Sequence, residues 1–295
     1  MASLARDCAA SEHGVCILCD YLTVAGLLTK EDPRYRHSRA SAVFLDPRSR
    51  ACVASAAQFL SHPDRASRSN NLAEVVRAGH TLLLGNGSVE PEHPMWVDFA
   101  RSMAPMVAPA AGALADLALA GLDGLVRVLD IAAGHGLFGL AVAARNPLAH
   151  VVAQDWAAVL AVAAENAHKT GLEGRFITLP GHAFDVEFGG PFDIVLLTNF
   201  LHHFDAATCV SLLKKVRASL SPRGRALALE FVPNEDRVSP LTAASFGLMM
   251  PVSRAACDAY TARQYDVMSR EAGFARTAGH PLPPSSEKAV IGYVA

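Results

Sequence analysis

The 295-residue sequence predicts an α/β fold: a mostly parallel sheet with helices on both faces, preceded by a smaller, mainly helical domain. Three observations carry this. In residues 126–146 an apolar run (Val126, Val128, Leu129) ends at Asp130. A small-residue turn (Ala132-Ala133-Gly134-His135-Gly136) follows, and then Leu137, Leu140, Ala141 and Ala144 recur at helical spacing. Downstream, strand and helix patterns alternate, which implies parallel strands joined by helical crossovers. The last two strand candidates, 275–281 and 288–294, have no helix between them, so they pair most simply as an antiparallel hairpin at the sheet edge.

Composition excludes several classes. A formal charge of −2 gives no global case for binding nucleic acid or membrane. No uninterrupted apolar run approaches the length of a membrane span, and the N-terminal residues lack the apolar core of a secretion signal. The six cysteines are scattered. Cys16-x-x-Cys19 has metal or redox spacing, but it sits in an apolar helical pattern with no second pair. The expectation is reduced thiols in a cytoplasmic protein that binds no metal.

Taken in order, residues 11–28 read as a helix capped by Ser11, with Val15, Leu18, Cys19, Leu22 and Ala25 on one face. Residues 27–36 read as two strands around a polar turn containing Asp32 and Pro33. Arg34, Arg36, His37, Arg39, Arg48 and Arg50 make this region basic, yet no base-reading helix accompanies them, and a solvated wing is the favoured reading. Residues 63–71 read as a loop, and 81–87 are too short to assign. From Pro94 a helix carries Trp96, Phe99, Met103, Met106 and Val107 on one stripe, with Pro105 and Pro109 expected to kink or break it before a second helix at 110–120. After the central turn come a strand at 150–155, a helix at 157–170 closed by Gly171, strands at 175–179 and 192–198, a helix at 206–220, a strand at 225–232 and a helix at 261–272. Apart from His182, His202 and His203, the histidines, His13, His62, His80 and His135 among them, read as surface or loop residues.

Two cofactor classes use a turn like the central one. Gly134-x-Gly136-x-x-Gly139, with Asp155 downstream, satisfies the dinucleotide fingerprint. The register Asp130-Ile131-Ala132-Ala133-Gly134-His135-Gly136, however, resembles motif I of S-adenosylmethionine (SAM)-dependent methyltransferases, with Ala132 in place of the first glycine. Further landmarks agree: Q-D-W at 154–156, L-P-G-H-A-F at 179–184, F-D-I-V-L-L-T-N-F-L-H-H-F-D at 192–205, L-S-P-R-G-R at 220–225 and L-E-F-V-P at 229–233. From about Trp96 onward the series resembles the SAM-dependent O-methyltransferases that modify phenolic small molecules in plant phenylpropanoid and bacterial polyketide pathways.

That resemblance implies a Rossmann-like class I methyltransferase sheet in residues 93–295. It implies a winged-helix, dimerisation-type domain in residues 1–92, partial here because the chain opens near that domain's last helix. It also implies a homodimer and an aromatic or polyketide-like substrate. For the cofactor it implies Asp130, Ala132, Gly134 and Gly136 at the turn, Asp155 on the ribose hydroxyls and Trp156 beside the adenine. His182-Ala183-Phe184 would lie around that ring, with His182 replacing the usual acid. Thr198 and Asn199 fall at a cofactor-side position where plant members carry Lys and Trp. Phe99 and Met103 match a pair touching substrate and cofactor, while Phe246, Met249 and Met250 would wall the acceptor pocket.

His202, spaced from Cys209 as the family's general base is from its cysteine, is the implied catalytic histidine; the alternative is a structural residue in a loop capping the sheet. His203 takes the place of an aspartate. Glu230 matches the first acid that braces the base. A second acid, expected ahead of the last long helix, is replaced by Ala259. The implied function is O-methylation of a small aromatic hydroxyl compound. Alternatives are a SAM-binding relative that has lost methyl transfer, in the manner of decarboxylating or hydroxylating members, a SAM-sensing winged-helix regulator and a nicotinamide oxidoreductase.

Overall fold

The computed structural model describes residues 1–31, 34–61, 72–80, 92–253, 257–283 and 285–294, the side chains of 251–253 aside. The turn residues Asp32 and Pro33, His62, the 63–71 loop and the 81–87 segment lie outside the described residues. The chain divides into two compact units, Met1–Gln58 and Phe59–Ala295.

In the first unit, α1 (Ala2–Asp7) and α2 (Glu12–Val24) precede a hairpin of β1 (Leu28–Glu31) and β2 (Arg34–His37), then α3 (Arg39–Phe44). The Ser11 hydroxyl accepts a hydrogen bond from the Gly14 amide at 3.0 Å, the N-cap that the sequence predicts. Only Val15 and Cys19 of the expected α2 face are buried, packing with Ala5, Leu28 and Tyr35. Leu18 is 54 % exposed instead, because the small hairpin covers less than a helical face. The hairpin's charges are in part paired, Arg36 with Glu31 and Lys30 with Asp20. None of the six cysteines forms a disulfide, and no metal-binding cluster exists among the described residues.

α4 (Ala56–Leu60) leads into the second unit, where α5 (Leu72–Ala78) packs on α10 (Leu241–Ser253). α6 (Met95–Leu119) runs unbroken through Pro105 and Pro109, correcting the expected break. Both prolines face outward, where a lost backbone hydrogen bond is least costly. Ala110, Ala111, Leu114, Ala115 and Ala118 fix the opposite side in the core. α6 is also the one described helix long and apolar enough to cross a membrane (mean hydropathy 1.3). One side of it packs in the core, and its outer side carries ion pairs, Arg101 with Glu165 and Asp116 with Arg145.

Seven strands follow: β3 (Val126–Ile131), β4 (Ala149–Asp155), β5 (Phe176–Pro180), β6 (Phe192–Thr198), β7 (Leu220–Glu230), β8 (Arg276–Pro281) and β9 (Lys288–Tyr293). Their order is β5-β4-β3-β6-β7-β9-β8, the first five parallel, with β9 antiparallel to both β7 and β8. α7 (Leu137–Arg145), α8 (Ala157–Lys169), α9 (Ala206–Ser219) and α11 (Ala262–Glu271) supply the covering helices. Strand residues alternate between two cores: Val128, Val151, Leu196 and Leu227 on one face, Leu129, Val195, Leu197 and Ala228 on the other. Burial on both faces is why these strands read as near-continuous apolar runs. The chain reverses direction across the sheet between β3 and β6. In open α/β sheets, ligands bind at such a switch point, beyond the carboxyl ends of the strands.

Candidate active site

The carboxyl ends of β3, β4, β6 and β7 deliver Asp130, Asp155, Thr198 and Glu230 to one edge of the sheet. At β3 the chain must turn sharply, and Ala132, Gly134 and Gly136 all take positive φ (52°, 57° and 74°). A left-handed alanine is strained, so its presence marks a turn fixed by its surroundings. The Gln154 side chain supplies part of that fixing, accepting from the Ala132 amide at 3.3 Å and donating to the Gly181 carbonyl at 2.5 Å. Gly139 is needed for close approach: a Cβ there would lie 2.7 Å from Val151 Cγ1 and 2.9 Å from Asp130 Oδ2.

Asp130 is fully buried. Its Oδ2 accepts from the Gly139 amide at 2.9 Å, while Oδ1 has no hydrogen-bond partner in the protein. Burial pushes its carboxyl up to about 7. An orphaned buried carboxylate oxygen is costly unless something outside the chain satisfies it. Asp155 accepts from the Gly134 amide at 2.8 Å and from the Trp156 amide at 2.7 Å, and burial raises it to about 6. From Trp156 an aromatic path continues to His182 (5.4 Å between centroids), Phe184 (5.3 Å), Phe204 (5.1 Å) and Phe200 (5.0 Å). Ala183 is buried beneath it, and the carbonyls of Ala183 and Phe184 accept from Lys215 Nζ at 3.1 and 2.9 Å.

Across the sheet, His202 lies in a single 3₁₀ turn, Leu201–His203, and is 4 % exposed. Its Nδ1 is 2.5 Å from Glu230 Oε2. The other carboxylate oxygen of Glu230 accepts from the Phe200 and Leu201 amides at 3.0 and 2.8 Å, so the acid holds both the loop and the ring. A carboxylate can only accept here, so Nδ1 carries the proton and Nε2 is the basic nitrogen. Cys209 Sγ donates to the Leu201 carbonyl at 3.2 Å, and the Tyr260 hydroxyl donates to the Phe204 carbonyl at 2.7 Å. These bonds explain the spacing from His202 to Cys209: the cysteine sits under the turn. The His203 ring meets His202 at 4.0 Å and Trp96 at 5.7 Å.

The remaining residues singled out from sequence distribute unevenly. Phe246 faces His202 at 4.9 Å and stacks on Phe231 at 4.3 Å. Met250 is buried, whereas Met249 is 37 % exposed. Phe99 is half-buried between Trp96 (5.7 Å) and Phe59 (5.1 Å), with Met103 one turn on, also half-buried. Thr198 is buried beside the turn, and Asn199, at φ 54°, donates its amide to the Leu229 carbonyl at 2.8 Å. Sequence reasoning passed over His135 as a loop histidine. It is 3 % exposed, accepts from the Leu137 amide at 3.1 Å, and burial lowers it to about 4. It also overlooked Gln154, although a polar residue inside an apolar strand was a usable signal.

This sheet, turn and switch point define a class I methyltransferase domain. The chain belongs to the O-methyltransferase domain family, which it matches over residues 99–275. It is 26 % identical over 293 residues to mouse (Mus musculus) acetylserotonin O-methyltransferase, covering 93 % of this chain and 75 % of that one. To the 3-hydroxy-5-methyl-1-naphthoate 3-O-methyltransferase of Streptomyces sahachiroi it is 27 % identical over 152 residues, 52 % of this chain and 44 % of that one. Among solved structures, a Nostoc punctiforme protein assigned as an O-methyltransferase superposes with a TM-score of 0.94 at 43 % identity, over 99 % of this chain and 88 % of the other. Human N-acetylserotonin methyltransferase in complex with SAM shares the fold (TM-score 0.84, 21 % identity, 99 % of this chain and 86 % of the other). The chain is a SAM-dependent O-methyltransferase acting on small molecules. The nicotinamide reading of Gly134-x-Gly136-x-x-Gly139 is overturned.

The residues present fit that cofactor. The positive-φ turn would let the backbone approach a ligand, and Asp130 at its start keeps an unused acceptor. Asp155 and the Trp156–His182–Phe184 wall would take the ribose and adenine portions.

Proposed function

We propose that this O-methyltransferase methylates a hydroxyl on a planar aromatic or polyketide-like molecule, with His202 as general base and Glu230 as its orienting acid. The buried His202–Glu230 pair at the carboxyl end of the sheet carries this reading. When bound, SAM supplies a methyl group on a sulfonium sulfur. The protein's part is to hold the acceptor oxygen in line and to take its proton on His202 Nε2 as that oxygen becomes nucleophilic. Phe246 on Phe231, with the rings of Phe200 and Trp96 nearby, gives flat apolar walls suited to an aromatic acceptor. Labelled SAM incubated with N-acetylserotonin, 3-hydroxy-5-methyl-1-naphthoate and 3-amino-4-hydroxybenzoate, acceptors suggested by the names of relatives, tests the class. Transfer to at least one phenolic oxygen is expected; none to any of these or to a wider phenol, flavonoid and anthraquinone panel would favour a relative that has lost methyl transfer.

We further propose that the chain is a cytoplasmic homodimer, its N-terminal segment acting as the dimerisation element. Ile17, Leu18, Tyr21 and Val24 of α2 are all more than half exposed, an apolar face that association would cover. Light scattering should give twice the chain mass, and a stable monomer at high concentration would contradict the assignment.

A further inference from the structure

The segment 181–186 is loop backbone, and its place in the fold is set by a few polar contacts. At its start the Gly181 amide donates to the Asp155 carbonyl at 3.0 Å, and the Gly181 carbonyl accepts from Gln154 Nε2 at 2.5 Å. A tight turn follows, in which the His182 carbonyl accepts from the Asp185 and Val186 amides at 2.9 and 3.0 Å. Gly181 takes φ 133°, and a Cβ on it would lie 2.4 Å from Val186 Cγ1, so this turn closes only on glycine. The next two carbonyls, of Ala183 and Phe184, turn to Lys215 of α9, whose Nζ donates to them at 3.1 and 2.9 Å. The same ammonium stands 4.5 Å from the centroid of the Phe188 ring, over its face. A lysine has three N–H donors and no acceptor, and here they meet two carbonyl oxygens and one ring face, none of them a carboxylate.

We propose that Lys215 is a positioning residue for the cofactor: from α9, through two backbone carbonyls, it sets the His182 and Phe184 rings against Trp156 as the wall of the adenine pocket. The inference rests on that wall taking the adenine, and it is independent of which group deprotonates the acceptor. The rings themselves are weakly fixed. His182 and Phe184 are only half-buried. His182 Nδ1 accepts from the Phe184 amide at a long 3.4 Å, and its other polar neighbour, Asp185 Oδ2 at 3.6 Å, belongs to an exposed side chain. The spacing of 5.4 Å from Trp156 to His182 and of 5.3 Å from His182 to Phe184 therefore depends on where the backbone lies. Without the ammonium, the Ala183 and Phe184 carbonyls would lose the donors they have and turn toward water to replace them. The rings ride on the same peptides and would turn with them.

The test is calorimetry on the full chain with two ligands, S-adenosylhomocysteine and 5′-methylthioadenosine, which keeps the adenosine but lacks the amino-acid end. Lys215→Met keeps a stem of similar length and removes the donors. Both ligands present the adenine, so both are expected to weaken by the same factor, about five- to tenfold. Lys215→Arg returns two donors for the carbonyls and a cation for the Phe188 face, and should bind both ligands within about threefold of the wild type. A lysine that only filled space would give the reverse order, with the bulkier Arg worse than Met. Should Lys215→Met fail to fold, Lys215→Gln against Lys215→Arg carries the same comparison. Unchanged affinity in the neutral variant, or a loss for S-adenosylhomocysteine that spares 5′-methylthioadenosine, overturns the proposal. Phe184→Ala then separates that failure from failure of the wall itself, because it weakens both ligands only if the adenine lies there.

Discussion

His202→Ala is expected to lower turnover about a hundredfold while leaving cofactor affinity nearly unchanged. A phenol titrates near pH 10 and histidine near 6.5, so complete proton transfer in water is uphill by about 3.5 units, or roughly 5 kcal/mol. Partial transfer in the transition state avoids most of that, and general-base assistance is typically worth about 10²–10⁴-fold. Glu230 fixes the ring through Nδ1 and leaves Nε2 for the proposed base role, as an acid does in a catalytic triad. Because Glu230 also holds the Phe200 and Leu201 amides, its removal would disturb the loop as well as the charge, and the histidine is the cleaner variant. His203→Ala, which removes ring contacts but leaves the bond to Glu230, should cost much less. Steady-state kinetics that separate kcat from KM, with calorimetry on S-adenosylhomocysteine, check both parts.

The second large effect is expected at Asp155. Asp155→Ala removes the acceptor that ties the Gly134 amide to β4 together with the acceptor proposed for the ribose hydroxyls. Hydrogen bonds to a charged acceptor contribute about 1.5–3 kcal/mol each, so S-adenosylhomocysteine binding should weaken at least tenfold. The same residue sets a pH dependence. Without ligand the Asp155 carboxyl is raised by burial to about 6. Hydroxyls donating to the carboxylate favour its ionised form and lower that value in the complex. Binding below pH 6 must then release a proton, and affinity falls as pH falls through 6, by about tenfold between pH 8 and pH 5. Calorimetry at the two pH values checks the sign, and an affinity that is flat or rises toward pH 5 would contradict this role for Asp155.

What could be read from the sequence tracks what is locally determined. The strand–turn–helix at 126–146, the alternating strands and the antiparallel ending follow from apolar period and glycine placement, and they appear in the structure, with β7 starting at Leu220 rather than at 225. The pairing of His202 with Glu230, 28 residues apart, was legible only through resemblance. The failures share a cause in tertiary contact. α6 survives two prolines because its other face is locked into the core, something residue preference does not encode. Leu18 fits the helical stripe but meets only a small hairpin. His135 sits in a glycine-rich turn, where a histidine ordinarily reads as solvent-exposed, and α7 and α8 close over it.

In the proposed reaction a protein base, and not proximity alone, prepares the acceptor oxygen. The most direct measurement is the single-turnover rate of methyl transfer to a series of substituted phenolic acceptors spanning pKa values from about 7 to 10, in the wild type and in His202→Ala. A loss of about a hundredfold is expected for the least acidic acceptors, shrinking toward none for those that arrive already ionised. An equal loss across the whole series, or no loss at its least acidic end, would contradict it.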